Sequence, residues 1–142
     1  MKPSFAIVDW DMFVRPICCY VGPDEIPRDL MPKIARECRK SRYDDVMTPA
    51  FVKDWVARRA DADDFHIAET ENDPSYSAIR IWTYSDPVLS HELLHVIENV
   101  CAQSAIVDEE FKCYAMQWLL CDFRCKLTGR FDKPFHFRRG RR

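Results

Sequence analysis

Glycine is scarce in this chain, with three in 142 residues. Neither G-x-x-x-x-G-K-[ST] nor G-x-G-x-x-G occurs, which excludes the glycine-rich loops that cradle nucleotide phosphates. Long apolar runs are missing too. No stretch approaches the ~20 residues that span a bilayer, so no membrane role is expected. Met1-Lys2-Pro3-Ser4 leads into a short apolar run broken by Asp9 and Asp11, which is not a secretory signal. C-x-x-C is absent. The seven cysteines (18, 19, 38, 101, 113, 121 and 125) are odd in number. With no secretion signal they read as reduced, mostly buried thiols of a cytoplasmic protein, not as a disulfide framework. No internal repeat and no second domain is visible.

What is present suits one globular domain over residues 1–128, followed by a basic arm at 129–142. The formal net charge of −2 hides an asymmetry. Residues 124–142 hold eight Lys/Arg against one Asp, leaving thirteen Lys/Arg against twenty-two Asp/Glu in the rest. An acidic body with a basic arm suggests two surface roles. In the arm, Arg138, Arg139, Arg141 and Arg142 stand near Phe131, Phe135 and Phe137, a composition suited to nucleic acid or an acidic partner.

The pattern predicts an α+β fold with a small antiparallel or mixed sheet of three to four strands. Phe5–Val8 reads as a strand, and Phe13-Val14 with Ile17–Val21 as another, Pro16 marking an edge or bulge. Leu30, Met31, Ile34, Ala35 and Cys38 fall at helical spacing. Asp29 as the cap keeps Pro32 in the first turn of that helix. Thr48-Pro49 opens a helix to about Arg59. Residues 65–84 read as a hairpin, with strand 65–70, turn 71–75 and strand 76–84. Asp86-Pro87 opens a helix to about Ala102. Asp108 caps the last one, which Thr128-Gly129 ends. Its expected apolar stripe is Phe111, Tyr114, Ala115, Trp118, Cys121 and Cys125.

Within the helix from Asp86 stands His91-Glu92-Leu93-Leu94-His95. Histidines four apart project from one face, so both imidazoles can reach one metal ion. Glu92 follows the first histidine, as in the HExxH arrangement of zinc peptidases. At ~100° per residue, Leu89, Leu93, Val96, Ile97 and Val100 gather on one side. His91, Glu92, His95, Glu98, Asn99 and Ala102 gather on the other. A catalytic zinc site takes three protein ligands and leaves one position open. Cys101 points to the flank of the core side and reads as a buried thiol. Asp108 serves as a cap, and Glu109 points nearly opposite the expected stripe. Glu110 borders that stripe and is the expected third ligand.

Beginning at the strand Ile79–Thr83 and the turn Ser85-Asp86-Pro87, continuing through HELLH and ending with Asp108–Ala115, the chain resembles small phage- and prophage-encoded HExxH proteins akin to minimal gluzincin metallopeptidases. More distantly it is similar to anti-repressor metallopeptidases, whose ligand glutamate precedes an aromatic-alanine pair as Glu110 precedes Tyr114-Ala115. Residues 76–120 carry the resemblance well and 13–40 weakly. Phe111 departs from the small residue common in the family.

The resemblance implies a zincin-like core in which Zn2+ is held by His91, His95 and Glu110, with Glu92 as general base in peptide-bond hydrolysis. A protein or peptide would be the substrate, and a phage or host protein the partner. The location would be the host cytoplasm or the virion. An extended peptide is expected to pair with the edge of strand 76–84. Glu98 or Asn99 could orient a histidine, and Tyr84, His66 and His136 are the candidates for stabilising an oxyanion. Two other readings stand beside this one. One is a non-catalytic phage structural or accessory protein that retains the zincin core, and the other is a nucleic-acid-associated protein using the basic arm.

Overall fold

The computed structural model describes residues 1–58 and 67–130. The arm from residue 131 on, with its four arginines, lies outside the described residues, as do His66 and His136. The elements run β1 (Ser4–Trp10), β2 (Arg15–Val21), α1 (Met31–Lys40), α2 (Pro49–Arg58), β3 (Ala68–Asp73), β4 (Tyr76–Ile81), α3 (Asp86–Gln103) and α4 (Glu109–Thr128). The fold is α+β, with one four-stranded mixed sheet in the order β1-β2-β4-β3. β1 pairs antiparallel with β2, β2 parallel with β4, and β3 antiparallel with β4.

The sheet is buried on both faces. Side chains alternate along a strand, so Phe5, Ile7, Cys18, Tyr20 and Ala78 face one way, onto Ile34, Val52 and Trp55 of α1 and α2. Ala6, Val8, Ile17, Cys19, Ile79 and Ile81 face the other, onto α3 and α4. This accounts for β1 and β2 reading as continuous apolar runs, since both their faces are covered. β3 differs. It carries Ala-Glu-Thr-Glu-Asn-Asp, is half-buried throughout, and forms one edge of the sheet.

Several local expectations shift. Phe13-Val14 is not strand. Asp11–Phe13 makes a 3-10 turn, and Val14 takes a left-handed conformation (φ 51°) that swings the chain into β2. β2 is an inner strand. Pro16 precedes its first pair with β4, Ile17 to Ser77, so the missing N–H interrupts no part of the parallel ladder. α1 follows a 3-10 turn at Arg28–Leu30 and has no side-chain cap, so Asp29 does not cap it, although Pro32 does fall in its first turn. β3 extends to Asp73, and Pro74-Ser75 alone makes the turn. The α3 cap is Ser85, whose hydroxyl accepts from the Val88 N–H at 3.2 Å, and Asp86 sits in the first turn. α4 is capped as expected, with the Asp108 carboxylate accepting from the Glu110 N–H at 2.9 Å and Gly129 left-handed at its end.

The α4 stripe needs the larger correction. Its buried residues are Ala115, Leu119, Phe123 and Leu127, one per turn, with Phe111, Met116 and Leu120 partly buried. Tyr114 and Trp118 are 66% and 47% exposed, and Cys121 is exposed. α4 packs against both α3 and β1. Purely apolar Leu and Phe side chains fill that groove, while the amphipathic Tyr and Trp stay at the water-facing side. Among the described residues no helix is long and apolar enough to cross a membrane.

Candidate metal centre

α3 positions the HELLH residues by burying its other side. Leu89, Leu93, Val96, Ile97 and Val100 are at most 2% exposed. At about 1.5–3 kcal/mol for each fully buried aliphatic side chain, that face fixes the rotation of the helix. His91 and His95 consequently face outward and are exposed, one turn apart. Their Nε2 atoms are 3.2 Å apart and their ring planes meet at 82°. Two nitrogens bound at 2.0–2.1 Å to one tetrahedral ion stand about 3.3 Å apart. The histidine pair therefore has the spacing of two ligands of one metal.

Glu92 lies beside them but is 5% exposed. The Thr70 hydroxyl of β3 donates a short hydrogen bond to its Oε2 and lies 3.3 Å from its backbone carbonyl. Together α3 and β3 bound a cleft of about 560 Å³, with Ala68, Thr70 and Asn72 on one wall and His91, Glu92, His95 and Asn99 on the other. Asn99 sits one turn beyond His95. Its amide oxygen is buried and has no hydrogen-bond partner among the described residues.

The other expected donors are not gathered there. Glu110 is exposed and does not line the cleft. It shares a side of α4 with Tyr114 and Cys121, and in the structure that side is the outer one. Glu110 is thus not at the edge of the buried face as expected, because the buried stripe runs through Leu119. Glu109 is also exposed. Its Oε1 is 3.8 Å from the Lys112 ammonium, which reaches Glu98 at 3.1 Å. Glu98 therefore pairs with a lysine instead of orienting a histidine, and the carboxylates around Lys112 raise its pKa. Cys101 is a buried thiol whose pKa is raised by burial, in agreement with the sequence reading. Glu69 borders the cleft, but strand alternation sets its side chain on the opposite face of β3 from Thr70. Among the described residues no group of three His, Cys, Asp or Glu side chains is arranged to hold a metal. Two histidines have the spacing for one zinc ion, and among the described residues no third protein ligand is assembled beside them.

Two further expectations are settled by position. Strand 76–84 is not an edge, because β4 is enclosed between β2 and β3; among the described residues the outer strand of this hairpin is β3. Tyr84 donates to Asp86 at 2.8 Å, and burial together with this bond raises its pKa. It does not line the histidine cleft, so it is no oxyanion donor there. Thr70 was missed by sequence reasoning. The one available signal was the wholly polar composition of 69–73, which suits an exposed edge strand.

No family model matches the chain, and no curated protein and no solved structure matches it either.

Proposed function

We propose that this chain is a zinc-dependent peptidase working in the cleft between α3 and β3. The observation that carries the reading is the 3.2 Å separation of the His91 and His95 Nε2 atoms, with the Glu92 carboxylate buried beside them. A bound zinc would supply Lewis-acid polarisation of water and of a peptide carbonyl. His91 and His95 would hold it. Glu92 would take the proton of the attacking water and return it to the leaving amine. The outer edge of β3, which pairs with no further strand among the described residues, supports the substrate class, because an extended peptide can add to it as a further strand. The likeness of the HELLH region to phage-encoded HExxH proteins supports a phage or host protein as the substrate.

The reading assigns Glu110 as third ligand on that same likeness. Since its side chain is exposed in the first turn of α4, the assignment requires that turn to reorient when metal binds. The failure of the described residues to gather a third ligand favours the runner-up, an accessory protein that keeps the fold without turnover. Incubation of the zinc-supplemented chain with a mixed peptide library, read by mass spectrometry, separates the two. The peptidase reading expects new internal termini with the wild type and none with Glu92→Gln. Equal product from both would remove Glu92 from the chemistry, and none from either would leave the accessory reading.

A further inference from the structure

A second cleft, of about 760 Å³, opens where β1 begins and α4 ends, and no residue lines both it and the histidine cleft. Lys2, Lys33, Lys126 and Arg130 border it, and Asp86 is the one acid among its described lining residues. Asp86 is engaged by Arg124 at 3.1 Å and by the Tyr84 hydroxyl. Among the described residues no side-chain carboxylate lies at ion-pairing distance from any of the four cations. Glu37, one turn along α1, acts on Lys33 through space, but burial outweighs it and lowers the pKa of the ammonium. Glu37 does not border the cleft.

Two of the cations are fixed in place. Lys33 donates to Ser4 Oγ at 2.9 Å and to the Lys126 carbonyl at 3.1 Å. Lys126 donates to the Ile7 carbonyl at 2.7 Å. Each ammonium has three N–H donors, so both keep some for a ligand. The end of α4 also borders the cleft, and bare carbonyls there would repel an anion. They are not bare: Lys33 covers the Lys126 carbonyl, the Thr128 hydroxyl that of Arg124, and the Gly129 N–H that of Cys125.

We infer that this cleft binds a small organic phosphate monoester, with the phosphate on the cations and the organic part against Pro3, Tyr84 and Leu127. Four cations against one engaged acid call for a multiply charged group. A phosphate monoester carries about −1.5 to −2 at pH 7, more than a single carboxylate does. The cations reach the cleft from three places: ahead of β1, on α1 and at the end of α4. Donors from several directions suit a tetrahedral group, whereas a carboxylate takes its donors near one plane. The volume lies in the ~300–1,000 Å³ range of small-molecule sites, which leaves room for more than the phosphate alone.

The test is a titration of the isotope-labelled full-length chain with phenyl phosphate, followed by amide NMR. Benzoate and inorganic phosphate are titrated in parallel. Shifts should concentrate at residues 2–4, 33 and 126–130, and phenyl phosphate should bind more tightly than either of the other two. The double variant Lys2→Ala/Arg130→Ala, which spares the two fixed lysines, should bind it about tenfold more weakly, as expected for the loss of charge-assisted hydrogen bonds. Arg39→Ala/Lys53→Ala, with exposed side chains away from the cleft, should bind as the wild type does. The inference is overturned by no binding of phenyl phosphate at millimolar concentration, by wild-type affinity in the cleft variant, or by an equal weakening in the control. Shifts that centre on the histidine cleft or beyond residue 130 overturn it as well. Benzoate binding as tightly would make the ligand a carboxylate, and inorganic phosphate binding as tightly would remove the organic part; either result also overturns it.

Discussion

The Thr70 hydroxyl joins the edge strand to the buried Glu92 carboxylate. It has one proton to give, and the carboxylate is the stronger acceptor of the two Glu92 groups within its reach. Replacing it with valine keeps the shape and leaves a buried carboxylate oxygen without its donor. Thr70→Val should therefore lower stability by about 1–3 kcal/mol in urea unfolding, and Thr70→Ser should restore most of it. An equally large destabilisation in the serine variant would show that packing, not the hydrogen bond, holds β3 to α3. At this scale the sequence was legible where the chemistry is local. His91, Glu92 and His95 stand where helix periodicity alone puts them. Thr70 was not legible, because its bond to Glu92 depends on the register of β3 against β4 and on the docking of both onto α3.

At the scale of the element, α4 shows the limit of a helical wheel. It carries apolar side chains on more than one side, so periodicity leaves its rotation undecided. Tyr114 and Trp118 suggested one stripe by their size, while the groove between α3 and β1 accepts Ala115, Leu119, Phe123 and Leu127. Glu110 followed the wrong stripe, and its expected approach to the histidines depended on it. The two rotations differ in stability. Leu119→Ala should cost about 2–5 kcal/mol, as for a fully buried leucine, whereas Tyr114→Ala should stay within about 0.5 kcal/mol. Matched urea titrations measure both, and the reverse order would restore the aromatic stripe and bring Glu110 back to the interface. α3 was easier to read because Leu89, Leu93, Val96, Ile97 and Val100 all fall on one side of it.

For the whole molecule, the three-layer arrangement has a consequence for its thiols. Cys18, Cys19, Cys38 and Cys101 are buried, while Cys113 and Cys121 are exposed. Burial pushes the Cys18 and Cys19 thiols far up and that of Cys38 up to about 11. Unfolded cysteines lose their protons near about pH 8.5. Between that value and the folded one the native state binds more protons than the unfolded state, so stability falls as pH rises. Denaturant midpoints should hold from about pH 7 to about 8.5 and decline from about pH 9 toward 11. A flat or rising alkaline limb would mean these thiols are not shielded. The continuous apolar runs of β1 and β2 made burial on both faces readable. The position of β3 at the edge was not, because the order of strands is set by how the hairpin docks and not by either strand's own pattern.

The central claim is that α3 presents a zinc site. Metal content of the purified full-length chain, measured by inductively coupled plasma mass spectrometry after expression with added zinc, tests it most directly. The account predicts about one zinc per chain. His91→Ala and His95→Ala should each abolish it. Glu92→Gln and Glu109→Ala should retain it, and Glu110→Ala should lose it if the first turn of α4 supplies the third ligand. A folded wild-type chain that carries no zinc, or one whose zinc survives removal of both histidines, would contradict the account.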